Sequence, residues 1–330
     1  MTRRFALAVC AALFAGGATA QPVMKIGTAT INDAQHEYAK LFAARLEKQA
    51  PGKLKIEIYP AEQLGSNARM LEGITLGTVE AVIGPPEFMV GLDPRFQIAG
   101  APGIVSDIEH GARLTSDARF RSAMFGFGEA KGVKGIGLIA YGPNSYATRR
   151  PVKSLADFKG MKIRVFASPM HIVAMEKIGA TGVPMIPSEA LQALASGAID
   201  GNRTGMPLFV AFKYFDVVKS ATQIDGDAFI FSMFYVGKNW FDRLPRDTQK
   251  LVLDTAAAVE PDINRYAMQT NKKAEATWKE RGAEFIRITG PDQAEFEKRM
   301  RAAGDEVVAK NPRIKEAYDL MVERARATRK

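Results

Sequence analysis

The sequence predicts two α/β lobes with a cleft between them, and two observations carry the prediction. Residues 23–83 read as strand, helix, strand, helix, strand, and from Gly160 to Gly201 a second series with the same rhythm follows. Alternation of this kind implies parallel strand pairs with helices laid over them. The 330 residues suffice for two domains of ordinary size.

Taken in order, Val23–Ala29 is the first expected strand, leading through Thr30-Ile31-Asn32-Asp33 into a helix from about Ala34 to Gln49. Tyr38, Leu41, Phe42 and Leu46 are spaced to bury one face of that helix, and Pro51-Gly52 stops it. Leu54–Tyr59 alternates as a second strand; Gly65-Ser66-Asn67 starts a helix through Met70, Leu71 and Ile74 that Gly77 ends; Val79–Ile83 is the third strand. A Pro/Gly-rich loop from Gly84 to Gly103 precedes one expected helix near Asp107–Phe125 and a strand at Gly135–Tyr141. Gly126-Phe127-Gly128 lacks the strand-then-helix setting of a phosphate loop.

The second series has a strand at Met161–Val165, a helix at Pro169–Ile178 beginning on proline, and a short strand at Gly182–Met185. Ser188 and Glu189 suggest a helix start there, running to Ser196, and Ile199-Asp200-Gly201 returns as a strand. Ala228–Val236 is strongly β-prone. A long helical pattern runs from about Thr248 to Arg281, with Pro261 expected to kink rather than end it. A strand at Glu284–Ile288 and two helices from Pro291 to about Arg326 finish the chain.

Composition narrows the functional classes. With 47% hydrophobic and 25% charged residues this is an ordinary globular sequence. Its formal charge of +9 comes from lysines and arginines scattered among 36 acids, without a basic run, which argues against a nucleic-acid partner. Residues 1–20 have the form of a cleavable export signal: Arg3-Arg4, an apolar Phe5–Phe14, then Ala18-Thr19-Ala20. Cleavage is expected after Ala20, leaving Gln21 first. No segment is long and apolar enough to span a bilayer, so the expectation is an exported protein that is not membrane-embedded. The single cysteine, Cys10, lies inside the signal and too early for lipid attachment. The exported chain is therefore expected to form no disulfide, thiolate metal site or cysteine nucleophile.

No catalytic constellation stands out. His36, His110 and His171 share no metal-ligand spacing, and surface or capping roles are expected for His36 and His171. Asp225 and Asp227 sit two apart in a loop, where acids usually face water. Neither a Gly-x-Ser-x-Gly elbow nor a Walker loop occurs, so no enzyme activity, cofactor or metal is expected. The stretch that draws the eye is Met161-Lys162-Ile163-Arg164-Val165. Alternation puts Lys162 and Arg164 on one face, with Arg164 at the carboxyl end, where open α/β sheets bind ligands. A guanidinium fork suits a carboxylate. A solvated edge-strand arginine fits the same pattern, since strand charges usually face water.

With those residues in view, the chain after residue 20 resembles the periplasmic substrate-binding subunits of TRAP (tripartite ATP-independent periplasmic) transporters, of the dicarboxylate-binding-protein type. The markers are IYPAEQLG (58–65), RMLEGITLGTVE (69–80), PVKSLADFKGMKIRV (151–165), GATGVPMIPSEALQALASGAIDG (179–201) and WFDRLPRDTQKLVLD (240–254), in order along the chain. The resemblance implies a type II-like two-lobed periplasmic binding protein with a long helix crossing both lobes. Lobe I would comprise 21–142 plus about 228–262, and lobe II 143–227 plus about 263–330. It also implies closure around a small organic acid, delivery to TRAP membrane permease subunits, and a periplasmic, by default monomeric, protein.

Carried over residue by residue, the resemblance makes Arg164 the carboxylate anchor. Phe166 follows it, Asn67 matches a first-lobe position near the ligand, and Thr204 matches a frequent contact. Two departures matter. Many members carry a second arginine where this chain has Asn144, which donates a hydrogen bond but no charge; Arg149 and Arg150 lie nearby, Arg150 aligning outside the ligand site. Arg203 stands in place of an acid, as a substitute anion contact or an exposed charge. Pro187 replaces an aromatic residue of some sugar-acid binders. These departures favour a monocarboxylate, 2-oxo acid or aromatic acid over a dicarboxylate or sugar acid. Alternatives are a receptor-coupled sensor, an ABC-importer binding protein, or an exported two-lobed enzyme.

Overall fold

The computed structural model describes residues 21–330; the expected export signal and its cleavage point lie outside the described residues. The first series is β1 (Val23–Thr28), α1 (Ala34–Gln49), β2 (Lys55–Tyr59), α2 (Asn67–Leu76) and β3 (Ala81–Gly84). Asp33 caps α1 by accepting from the backbone N–H of Gln35 and His36. Ser66 caps α2, and Gly77 ends it with φ 77°, a left-handed conformation that glycine adopts without a Cβ clash. β1 pairs in parallel with both β2 and β3.

After two short 3₁₀ turns, at Pro86–Met89 and Pro94–Gly100, come α3 (Ile108–Ser116) and α4 (Ala118–Gly126). The sequence suggested one helix here. Asp117 breaks it with an extended backbone, and its carboxylate caps α4 through the N–H groups of Arg119 and Phe120. β4 (Val133–Pro143) and β5 (Ser145–Thr148) follow, then β6 (Lys162–Val165), α5 (Pro169–Lys177), β7 (Thr181–Pro184), α6 (Pro187–Ser196) and β8 (Gly201–Thr204). α6 begins on Pro187, with Ile186 at the capping position, so Ser188 is helical rather than a cap. β8 lies later than the expected Ile199–Gly201. The remaining elements are α7 (Met206–Ala211), β9 (Ser220–Ile224), β10 (Phe229–Gly237), α8 (Lys238–Arg243), α9 (Arg246–Glu280), β11 (Glu284–Ile288), α10 (Pro291–Ala309) and α11 (Pro312–Thr328).

Two sheets result. One has the order β2-β1-β3-β10-β4, the other β11-β9-β5-β8-β6-β7. β10 runs antiparallel to β3 and β4, and β6 is parallel to β7 and β8. The chain passes between the sheets at two places: between β4 and β5, and between β9 and β10. A third link is α9. Its Val252, Val259 and Ile263 pack with Ile26, Phe42 and Phe234 of the first sheet's core, while its Ala274 and Trp278 pack with Phe209 and Tyr214 beside the second. The expected helix spanning both lobes is therefore present. Pro261 lies inside it on the exposed side, where water can serve the carbonyl left without a donor.

The last helix departs from the lobe expected for it. α10 packs Phe296 and Met300 into the second sheet's core, but Ile314, Met321 and Ala325 of α11 pack with Leu114 and Phe120 of the first. His110 on α3 reaches the Ala325 carbonyl through Nε2 at 2.9 Å.

Candidate functional site

Open α/β sheets bind ligands outside the carboxyl ends of their strands, and here Ala29, Pro85 and Phe166, which follow β1, β3 and β6, line one gap together with Thr204, the last residue of β8. Thr30, Phe88 and Tyr141 line the gap from the first sheet's side, and Phe166, Pro187 and Thr204 from the second. The enclosed space is about 20 Å³, room for a water molecule rather than an organic acid. Tyr141 is fixed in this wall by donating to the buried Asp33 carboxylate at 3.0 Å. Phe166 stacks between Phe88, at 5.1 Å between ring centroids, and His171, at 5.3 Å.

Arg164 is 0% exposed. β6 lies between β7 and β8, so the solvated edge-strand arginine is excluded. Its Nε donates to the Met185 carbonyl at 2.8 Å, its Nη1 lies 3.5 Å from Asn202 Oδ1, and its Nη2 has no partner. The guanidinium sits 5.0 Å from the Phe166 ring centre. Among the described residues no carboxylate forms a salt bridge with it. Burial pulls its pKa down to about 10, opposed by Tyr214 and Glu62, so it stays cationic at neutral pH. Asn202 is oriented by donating to the Tyr214 hydroxyl at 2.8 Å. A buried cation with an orphan donor is costly unless an anion meets it.

The other sequence-stated positions divide. Phe166 and Thr204 line the gap. Asn67, first residue of α2, is buried with Nδ2 unpartnered beside Gly84 at the end of β3. Asn144 is not brought against Arg164: its Nδ2 donates to the Ala228 carbonyl at 2.7 Å, tying the two inter-sheet crossings together. Arg203 is neither exposed nor a free anion contact. It alternates with Asn202 along β8 and so faces the sheet's other side, where it is 1% exposed. There Asp227 takes its Nε and Nη2, and Nη1 lies 2.6 Å from His171 Nδ1. Burial opposes its charge, but Asp227 and Tyr146 outweigh burial and hold its pKa above the ordinary value.

Two further expectations fail with it. Asp227 does not face water; it is buried, and Tyr146 also donates to it at 2.8 Å. His171 is no surface or capping residue but a buried link between Arg203 and Glu87, with Nε2 3.4 Å from the Glu87 carboxylate. Burial pushes Glu87 up to about 8, outweighing the opposing pull of Arg203. Glu62 also stands near Arg164, half-buried on a loop where Ala61 and Glu62 both have positive φ. Glu87 carried no sequence pattern, and Glu62 lies within the IYPAEQLG marker with nothing to single it out. Arg203 carried no readable signal either, because the strand expected at Ile199–Gly201 stopped short of it and Asp227 lies 24 residues further on.

The family model described as DctP, bacterial extracellular solute-binding protein, family 7, matches residues 27–311. The chain is 28% identical over 280 residues to the 2,3-diketo-L-gulonate-binding periplasmic protein of Escherichia coli, covering 83% of this chain and 84% of the relative. It is also 28% identical over 277 residues to the C4-dicarboxylate-binding periplasmic protein of Rhodobacter capsulatus, covering 82% and 81%. Among solved structures, a TRAP periplasmic solute-binding protein from Desulfovibrio salexigens with bound orotic acid matches with TM-score 0.88 at 22% identity, covering 93% of this chain and 99% of that one. A TRAP periplasmic solute-binding protein from Shewanella oneidensis with bound succinate matches with TM-score 0.86 at 19% identity, covering 94% and 100%. The chain belongs to the bacterial extracellular solute-binding protein family 7, with the two-lobed α/β fold of TRAP solute-binding subunits.

Proposed function

We propose that this protein is a periplasmic, non-enzymatic receptor that clamps a small organic acid between its sheets, pairs the ligand carboxylate with Arg164, and delivers it to a TRAP-type membrane permease. One observation carries the reading: a fully buried guanidinium with an orphan Nη2 and no salt-bridged carboxylate among the described residues. A carboxylate would supply charge-assisted bonds that the protein itself withholds. Phe166, Thr204 and Asn67 complete the contact set. Relatives and fold neighbours bind acids of several kinds, orotate and succinate among them.

The ligand class follows from a charge census. Arg203 is neutralised by Asp227, and Asn144 is occupied at the crossings, so Arg164 is the free cation of the gap among the described residues. Glu62, which burial pushes up against the opposing pull of Ser188 and Arg164, adds acidity at the rim. With Phe88, Tyr141 and Phe166 in the walls, the site suits one carboxylate on an apolar or aromatic body. Lobe I is taken as 21–142 with 228–262 and α11, and lobe II as 143–227 with the remainder. Contacts from both lobes are what would favour closure.

A thermal-shift screen of residues 21–330 against organic acids tests the anchor. An acid at 100 times its dissociation constant should stabilise the protein by about 2.7 kcal/mol, a shift of a few degrees, and Arg164→Ala should abolish that response. Equal responses from both proteins would refute the anchor.

A further inference from the structure

We infer that bringing the two lobes together requires a neutral carboxyl at Glu87, so that closure takes up a proton and weakens as the solution becomes alkaline. The contact is geometric. Glu87 stands in the 3₁₀ turn after β3, in the first lobe, and His171 on α5, in the second; Oε1 and Nε2 lie 3.4 Å apart with both side chains at most 1% exposed. Neither carboxylate oxygen of Glu87 has a hydrogen-bond partner, nor does His171 Nε2. Gly100, from the other turn of the first lobe, is packed against the pair: a Cβ there would lie 2.3 Å from His171 Nε2.

The proton on His171 is placed by its neighbour. Arg203 Nη1 can only donate, so His171 Nδ1 at 2.6 Å must accept, and the ring proton sits on Nε2, facing Glu87. Protonating Nδ1 as well would break the bond to Arg203, a residue of the same lobe, whether or not the lobes meet. His171 therefore stays neutral, its pKa lowered by burial and then by Arg203 and Arg164. Facing Glu87 are His171 from α5, Arg203 from β8, and Tyr235 from β10, whose hydroxyl also has no partner. The one full positive charge among them, Arg203, is already matched by Asp227. A carboxylate here would be buried without a counter-charge; a carboxylic acid would not.

The sign follows. In contact with His171, Glu87 has a pKa of about 8, against an ordinary 4.5 when the lobes part and water reaches it. A raised carboxyl favours the closed form fully below the lower value and loses that advantage as pH rises through the upper one. Between about pH 6 and 8 the closed-to-open ratio should fall up to about tenfold per unit.

The measurement needs no ligand, so its failure and that of the Arg164 reading, on which only the link to ligand capture rests, are separable. Cys10 is the chain's only cysteine, so residues 21–330 accept paired spin labels at Leu76→Cys and Lys159→Cys, exposed positions on opposite lobes. The expected result is a short-distance population that shrinks from about pH 6 to 8 in the parent and stays constant in Glu87→Gln. Gly100→Ala, which wedges His171 away, should lengthen the distance at every pH. A parent distribution independent of pH, or the same dependence in Glu87→Gln, would overturn the inference.

Discussion

At the scale of single residues, the two buried arginines show what a sequence can and cannot say. The place of Arg164 at the carboxyl end of a parallel strand was legible, but its burial was not, because the same pattern fitted a solvated edge-strand arginine. Arg203 and Asn144 were not, because their partners, Asp227 and the Ala228 carbonyl, arrive from distant chain segments. The same tertiary pairing hid Glu87 and His171. The pairing around Arg203 makes a prediction of its own. Asp227→Asn keeps the shape but strips the counter-charge from a guanidinium that is 1% exposed. Unfolding by urea should show a loss of about 3–5 kcal/mol, the usual cost of leaving a buried charge unmatched. Unchanged stability would mean that water reaches Arg203 after all.

Elements with strong periodicity or clear caps were legible: α1, α2, α9 and the terminal pair fall within a few residues of where spacing put them. The misses have physical causes. β5 and β9, Ser-Tyr-Ala-Thr and Ser-Ala-Thr-Gln-Ile, are four and five residues long with few apolar side chains. They are strands because neighbours on both sides pair with them, which no local window shows. Asp117 split the helix expected over 107–125 because an aspartate serves better as a cap than inside a helix. α9 is the element that makes one molecule of two sheets, and Trp278 is its anchor in the second. That side chain is fully buried and donates through Nε1 to the Glu284 carbonyl at 3.0 Å. Trp278→Ala should cost about 3–5 kcal/mol in equilibrium unfolding. A cost below about 1 kcal/mol would show that the second half of α9 contributes little to holding that lobe.

The whole molecule couples these parts. Two strand crossings, stapled by Asn144, the long helix α9 and the turn from α10 to α11 join the two sheets, and Met170 of α5 packs into the first lobe's core. With about 20 Å³ between the lining residues, a ligand can enter only if the lobes part, and its contacts with both then favour their return. The two-lobed plan was readable from the rhythm of strands and helices alone, whereas the path of α11 back onto the first lobe was not, because nothing in an amphipathic helix names the surface it will cover.

The central claim is that Arg164 holds a carboxylate, and calorimetric titration against a matched pair of ligands tests it most directly. The acid giving the largest thermal shift would be compared with its primary amide, which keeps the shape and removes the charge. The account predicts that the amide binds at least about 100-fold more weakly, roughly 2.7 kcal/mol, and that Arg164→Ala erases the difference. Equal affinity for acid and amide in the parent protein would contradict it.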